Sequence, residues 1–241
     1  PWLAGLGLLL ALLIVFSLSL TQGSVQLSWN EFRLALLRTG DMRYQTIVWD
    51  LRLPRVIAAM IVGSALGMSG ALLQGMLRNG LASPFLLGIS AGSGLAAVAI
   101  LGLGIWQIWL PLGAWVGGFV TIVLVYFLAR TGTEISVERL ILLLLSPDGQ
   151  AHAVLSWLIG SLNGRSWQEV VVAGPSMVVS LFLGCLLARQ LNVLSLGDDL
   201  AVGLGSSLMR SRILIGLVAT LLAAGAVSIA GLVSFVGLIV P

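Results

Sequence analysis

The chain has 241 residues, of which 59% are apolar and 9% charged. A soluble domain carries about 25% charged residues, so this chain cannot cover a water-facing surface and lipid is the natural solvent for its side chains. Its cations are twelve Arg and no Lys against nine acids, for a net charge of +3; the Arg residues form no stripe, which argues against nucleic acid, and a P-loop without its Lys cannot reach phosphates.

A bilayer core takes about 20 apolar residues per helix, so the chain has material for six or seven spans and the expected fold is an all-α, polytopic transmembrane helical bundle. Residues 2–20 carry no charge and read as the first span. A cleaved signal would show a shorter apolar core, a basic front and a small-residue cleavage site. Residues 21–51 are polar and mixed, with Glu31, Arg33, Arg38, Asp41, Arg43 and Asp50. They predict an extramembrane loop with a short helix around 29–37; loops this long usually have a function.

Arg52-Leu53-Pro54-Arg55 opens the second span, since Pro suits the first turn of a helix. Residues 56–77 carry no charge and are rich in Gly, Ala and Ser, which favours close helix approach. A polar turn over 78–84 follows, then an uncharged stretch too long for one helix. Trp106 and Trp109 mark an interface within it, giving spans at 85–103 and 110–129. Residues 130–139 form a charged loop; 140–145 are too few to cross a bilayer before Ser146-Pro147-Asp148-Gly149 turns the chain. Residues 170–188 and 213–230 are two further spans. Between them lies a polar, Gly-dotted segment, 189–212, in which Asp198 and Asp199 fit the first turn of a short helix and Gly203 and Gly205 its end.

Cys185 stands alone in an apolar run and reads as a small buried hydrophobe. His152 is also alone, so no metal or catalytic cluster is expected. Gly-xxx-Gly pairs at Gly63/Gly67, Gly88/Gly92, Gly113/Gly117 and Gly160/Gly164 are no more than 30 glycines in 241 residues produce by chance. Ala58, Ala65 and Gly70 echo Ala219, Ala226 and Gly231 at one offset, which shared composition explains equally well.

The strings Arg52–Arg55, Gly63–Gln74 and Arg78–Gly94 closely resemble the permease family of iron-siderophore and vitamin B12 ABC importers. The family usually shows Asn-Pro-Leu-Ala where this chain has Asn79-Gly80-Leu81-Ala82. Leu194–Gly205 is similar to its coupling region, and Ala226–Pro241 to its recurring span-to-helix junction. The resemblance implies a single permease domain over 1–241 in the bacterial inner membrane, of the kind that has ten spans. It implies ATP-binding cassette ATPase subunits, a periplasmic substrate-binding protein and a second permease copy or homologue as partners, with no cofactor.

By the same resemblance 21–51 lies outside and 189–212 lies in the cytoplasm. Arg52 and Arg55 fall where the family presents arginines to acidic residues of the binding protein, a role suited to the bidentate guanidinium. Leu196, Gly197, Asp198, Asp199, Leu200, Gly203 and Gly205 would meet the ATPase, and Gln74, Asn79, Ser83, Pro84 and Ser90 would border the pathway. In the family the stretch matching 139–157 is about seventeen residues longer and contains a complete fifth span, so a piece is expected to be missing near 142–146 and again after 241. Charge does not decide orientation, because six Arg fall on each side under this assignment. The cargo expected is a ferric siderophore, with haem and cobalamin open. The rival is an ion- or proton-coupled secondary transporter, which would carry buried ionisable residues; the stretches between Arg78 and Arg130 and between Glu169 and Arg189 hold no Asp, Glu, His, Lys or Arg. A membrane enzyme is disfavoured, since His152, Cys185 and Asp148 form no catalytic constellation.

Overall fold

The computed structural model describes residues 2–85, 88–103, 109–129 and 159–241. They form α1 (Trp2–Thr21), α2 (Trp29–Leu36), α3 (Met42–Thr46), a π-helical turn (Ile47–Arg52), α4 (Leu53–Leu77), α5 (Ile89–Gly102), α6 (Leu110–Ala129), α7 (Trp167–Ser195), α8 (Asp198–Gly203), α9 (Leu208–Ala230) and α10 (Val236–Ile239). The protein is all-helical. Among the described residues the helices long and apolar enough to cross a bilayer are Met42–Leu77, Trp167–Ser195 and Leu208–Ala230, with shorter apolar helices over Gly5–Thr21, Ala91–Ile100 and Leu112–Thr121. Each overlaps a stretch where the apolar pattern predicts a span, with Met42–Leu77 starting inside the predicted loop 21–51. The expected missing fifth span and His152 lie outside the described residues.

The core is the triangle of α4, α7 and α9. Ala58, Val62, Ala65, Leu66 and Leu72 of α4 pack with Val170, Ala173 and Met177 of α7 and with Ile215, Ala219, Leu222, Ala226 and Ile229 of α9. In hydrocarbon no hydrophobic force draws helices together, so close approach and hydrogen bonds do the work. Both are present: the buried Ser69 hydroxyl donates to the Ala219 carbonyl at 2.6 Å, and a Cβ added at Gly225 would come within 2.7 Å of Met177 Cγ. The outer face of α7, with Val171, Val178, Phe182 and Leu186, is exposed, as lipid contact requires.

The α5–α6 pair is tighter still. A Cβ at Gly92 would lie 1.6 Å from Thr121 Oγ1, and one at Gly117 would lie 2.6 Å from the Gly92 carbonyl oxygen. Two of the four Gly-xxx-Gly pairs therefore mark a real interface, which their frequency in the sequence conceals.

Three expectations change. The predicted loop 21–51 is shorter, because Met42–Arg52 is helical and runs into α4. Asp41 caps it by accepting from the Arg43 N–H at 2.9 Å, and the π turn lets Val48 become buried among Leu20, Leu27, Phe32 and Ala35. The polar segment 189–212 contains the last turns of α7, which runs to Ser195; Leu191 and Leu194 keep packing against the core and extend it. Cys185 is exposed rather than buried, since it lies on the outward face of α7.

Two poles result. The end of α1, the start of α4, the start of α7 and the end of α9 meet at the first pole. The end of α4, α8 and the start of α9 meet at the second. After α9 the chain reverses at Gly231 (φ +75°) and Phe235 (φ +67°), and α10 returns against α4. Gly70 permits this: a Cβ there would lie 1.9 Å from the Gly237 carbonyl oxygen.

Candidate functional site

At the first pole Arg52 is fully engaged. Its Nη1 donates to the carbonyls of Leu20 at 2.7 Å and Thr21 at 2.8 Å, and its Nη2 donates to that of Val25. The last carbonyls of a helix lack intrahelical donors, and a cation there also complements the helix dipole. Arg52 thus clamps the end of α1 to the start of α4. Arg55 stands one turn on, exposed, with a long 3.5 Å contact from its Nη1 to Asn163 Oδ1. The structure brings a third cation to them. Arg165 donates from Nε to the Ser161 carbonyl at 3.3 Å and faces Glu169 at 3.9 Å. Burial lowers its pKa while Glu169 opposes that shift, and a guanidinium stays charged regardless.

Arg52, Arg55 and Arg165 line one cavity of about 1040 Å³, with Phe16, Asp50 and Met60 among its walls. Local chemistry builds this pole. Ser28 and Glu31 form a capping box at α2, and Ser166 and Glu169 form another at α7. The Trp167 indole donates to the Trp49 carbonyl at 2.8 Å, the Trp49 indole to that of Ala35 at 3.1 Å, and Arg38 lies over the Trp49 ring at 4.5 Å. Sequence reasoning missed Arg165, which no spacing ties to Arg55. The repeated Ser-Trp-x-Glu at 28–31 and 166–169 was a readable helix-start signal.

At the second pole α8 begins at Asp198 and Asp199, as the pattern predicts. Gly197 precedes it at φ +112°, and Gly205 closes it at φ +77°. Ala201 is buried, whereas Leu196, Leu200, Val202 and Leu204 are all exposed by 57–65%. Asp198 accepts from Arg78 Nη2 at 2.6 Å and from Arg212 Nη2 at 2.9 and 2.8 Å. Neither arginine was singled out with Asp198 in the sequence. Asp199 forms no ion pair among the described residues.

The expected pathway residues are held in different ways. Gln74 donates to the Leu238 carbonyl at 3.0 Å, and Pro84 is buried beside Gly237, so both pack on α10. Asn79 Oδ1 accepts from the Leu81 N–H at 2.9 Å and shapes a surface turn. Ser83 is buried, and Ser90 lies in the first turn of α5. Among the described residues, Ser93 Oγ is buried without a hydrogen-bond partner, and no group of His, Cys, Asp or Glu is placed to hold a metal ion.

Residues 9–241 match the FecCD transport family. The Fe(3+)-citrate import system permease protein of Bacillus subtilis is 34% identical, covering 100% of this chain and 77% of the relative. That alignment takes in 259 positions against the 241 residues here. The ferric enterobactin transport system permease protein of Escherichia coli is 37% identical over 92% of this chain and 72% of its own. The hemin transport system permease protein of Yersinia pestis is 34% identical over 98% and 76%. A solved structure, described as an inward-facing conformation of a metal-chelate type ABC transporter, superposes with TM-score 0.80 at 28% identity, covering 97% of this chain and 78% of that one.

Proposed function

The chain belongs to the FecCD transport family, the membrane-embedded, multi-pass permease subunits of ABC importers, and from that premise we propose that it carries a ferric chelate across a bacterial inner membrane. One observation carries the cargo assignment. The relatives named above move ferric citrate, ferric enterobactin and hemin, and these share iron held in an organic chelator. The chain performs no covalent step. These 241 residues hold no Lys and so no P-loop, and in this reading ATP is bound and hydrolysed on a cassette subunit.

In this reading the second pole faces the cytoplasm. Leu200, Val202 and Leu204, apolar yet outward on a short helix, are the surface the ATPase covers; an exposed apolar patch rimmed by charge is an interaction signature. The first pole faces outward and receives the substrate-binding protein. Arg55 meets its carboxylates, and Arg52 holds the surface on which Arg55 stands. A second permease copy or homologue completes the pathway, with Gln74, Asn79, Ser83, Pro84 and Ser90 near its lining.

The test is uptake of radiolabelled ferric citrate, ferric enterobactin and hemin by cells with and without this subunit. At least one is expected to accumulate only when the subunit is present, to stop on ATP depletion and to survive a protonophore. Accumulation that collapses with the proton gradient while ATP is held constant would establish the secondary transporter instead.

A further inference from the structure

Asp198 receives two arginines from two different helices. Arg78 is the C-cap of α4, held at φ +50°, a left-handed conformation that costs a non-glycine residue about 1–2 kcal/mol. Arg212 lies in the first turns of α9 and reaches both carboxylate oxygens. The three side chains are each about 40% exposed, so the pairs add little to stability, since exposed ion pairs contribute about 0–1 kcal/mol. Their geometry is the informative part. α4 and α9 are two sides of the core triangle, and α8 otherwise enters the fold through the single buried Ala201. Gly197, which precedes α8, supplies no side-chain cap. The carboxylate of Asp198 therefore joins α8 to the ends of both helices at one point.

We propose that Arg78, Asp198 and Arg212 form a charge joint that transmits displacement of α8 to α4 and α9. The two arginines are positioning residues that act through Asp198. This rests on the reading of α8 as the ATPase contact. A push on the outward leucines turns α8 about its Ala201 anchor. With the joint intact, that rotation drags the ends of α4 and α9 together; without it, α8 moves alone and hydrolysis proceeds unharnessed.

The experiment uses the assembled transporter in proteoliposomes, reading ATPase-subunit retention, ATP hydrolysis and chelate uptake separately. Arg78→Gln/Arg212→Gln, which removes both donors and leaves the ATPase-facing residues as they are, is expected to retain the ATPase and hydrolyse ATP, while uptake per ATP falls about fivefold or more, the low end of typical coupling between sites. Arg212→Ala, which leaves the Arg78 contact, should lose part of the ratio and covers the case in which the double variant fails to fold. The inverted joint, Arg78→Asp with Asp198→Arg and Arg212→Asp, should recover it, which a merely lost contact would not. Normal uptake per ATP in Arg78→Gln/Arg212→Gln, with the ATPase shed by Leu200→Asp/Leu204→Asp, would overturn the joint and leave the contact reading standing. Full coupling in Leu200→Asp/Leu204→Asp would overturn both.

Discussion

Among single residues the sharpest contrast is between Arg52 and Arg55. Spacing alone makes them equivalent, since both flank Pro54 at the head of a span. The structure separates them: Arg52 is turned inward on three carbonyls and Arg55 is turned out. Charged-donor hydrogen bonds contribute about 1.5–3 kcal/mol each; Arg52 is only part-buried and the freed carbonyls can rebind water, so Arg52→Ala should lower stability by about 2–4 kcal/mol, less than the sum of the three, and Arg52→Lys should not rescue it, because an ammonium presents its donors from one nitrogen and cannot span the acceptors that two guanidinium nitrogens reach. Thermal unfolding in detergent checks both. Arg55→Glu should leave that stability unchanged and weaken binding-protein docking about tenfold or more, the scale of a truncated or reversed interfacial charge, as measured by surface binding to the purified transporter. Glu31 adds a pH signature. The Ser28 hydroxyl, then its backbone N–H, holds the Glu31 carboxyl below its usual 4.5. A lowered folded pKa means the cap is fully formed above the unfolded value and is lost as pH falls through the folded one. The protection factors of the amides over 29–36, which exclude the intrinsic pH dependence of exchange, should therefore fall on acidification below about pH 4.5 and stay flat from there to neutrality.

For the helices, glycine positions decide which changes are tolerated. Gly203 has open space around it, whereas Gly205 lies at φ +77°, where an L side chain is strained. Gly203→Ala should be silent in ATPase coupling and Gly205→Ala should impair it, although the pattern that suggested them treats both as helix-end signals. Gly92→Val should destabilise by about 1–3 kcal/mol through overpacking, read from unfolding in detergent, because its Cβ has no room beside Thr121. How legible each helix was follows from the same physics. Long uncharged runs located α1, α4, α6, α7 and α9, since hydrocarbon forbids charge over a fixed length. The helical stretch 42–52 is hard to read because its one local cue, the Asp41 cap, is weak alone, and its stability comes from tertiary burial of Val48 and part-burial of Trp49, which no apolar run announces. Asp198 and Gly205 bracketed α8 through dipole and φ preferences that act locally.

For the whole molecule, what the sequence left unread is long-range. The echo of Ala58 and Ala65 with Ala219 and Ala226 has a physical basis: all four are fully buried in the core that α4 and α9 share, where small residues let two helices approach closely. The meeting of Arg55 with Arg165, and of Arg78 with Asp198 and Arg212, depends on how spans pack rather than on local order, so composition and spacing say nothing of them. The account that joins these parts makes α8 the handle by which a separate ATPase works a lipid-embedded bundle. The direct measurement is ATP hydrolysis and ferric-chelate uptake by proteoliposomes holding the purified complex with its cassette subunit and binding protein. The account predicts that uptake follows hydrolysis in the native complex and that Leu200→Asp/Leu204→Asp releases the cassette subunit and abolishes uptake. Undiminished ATP-driven uptake in that variant, with the cassette subunit retained, would contradict it.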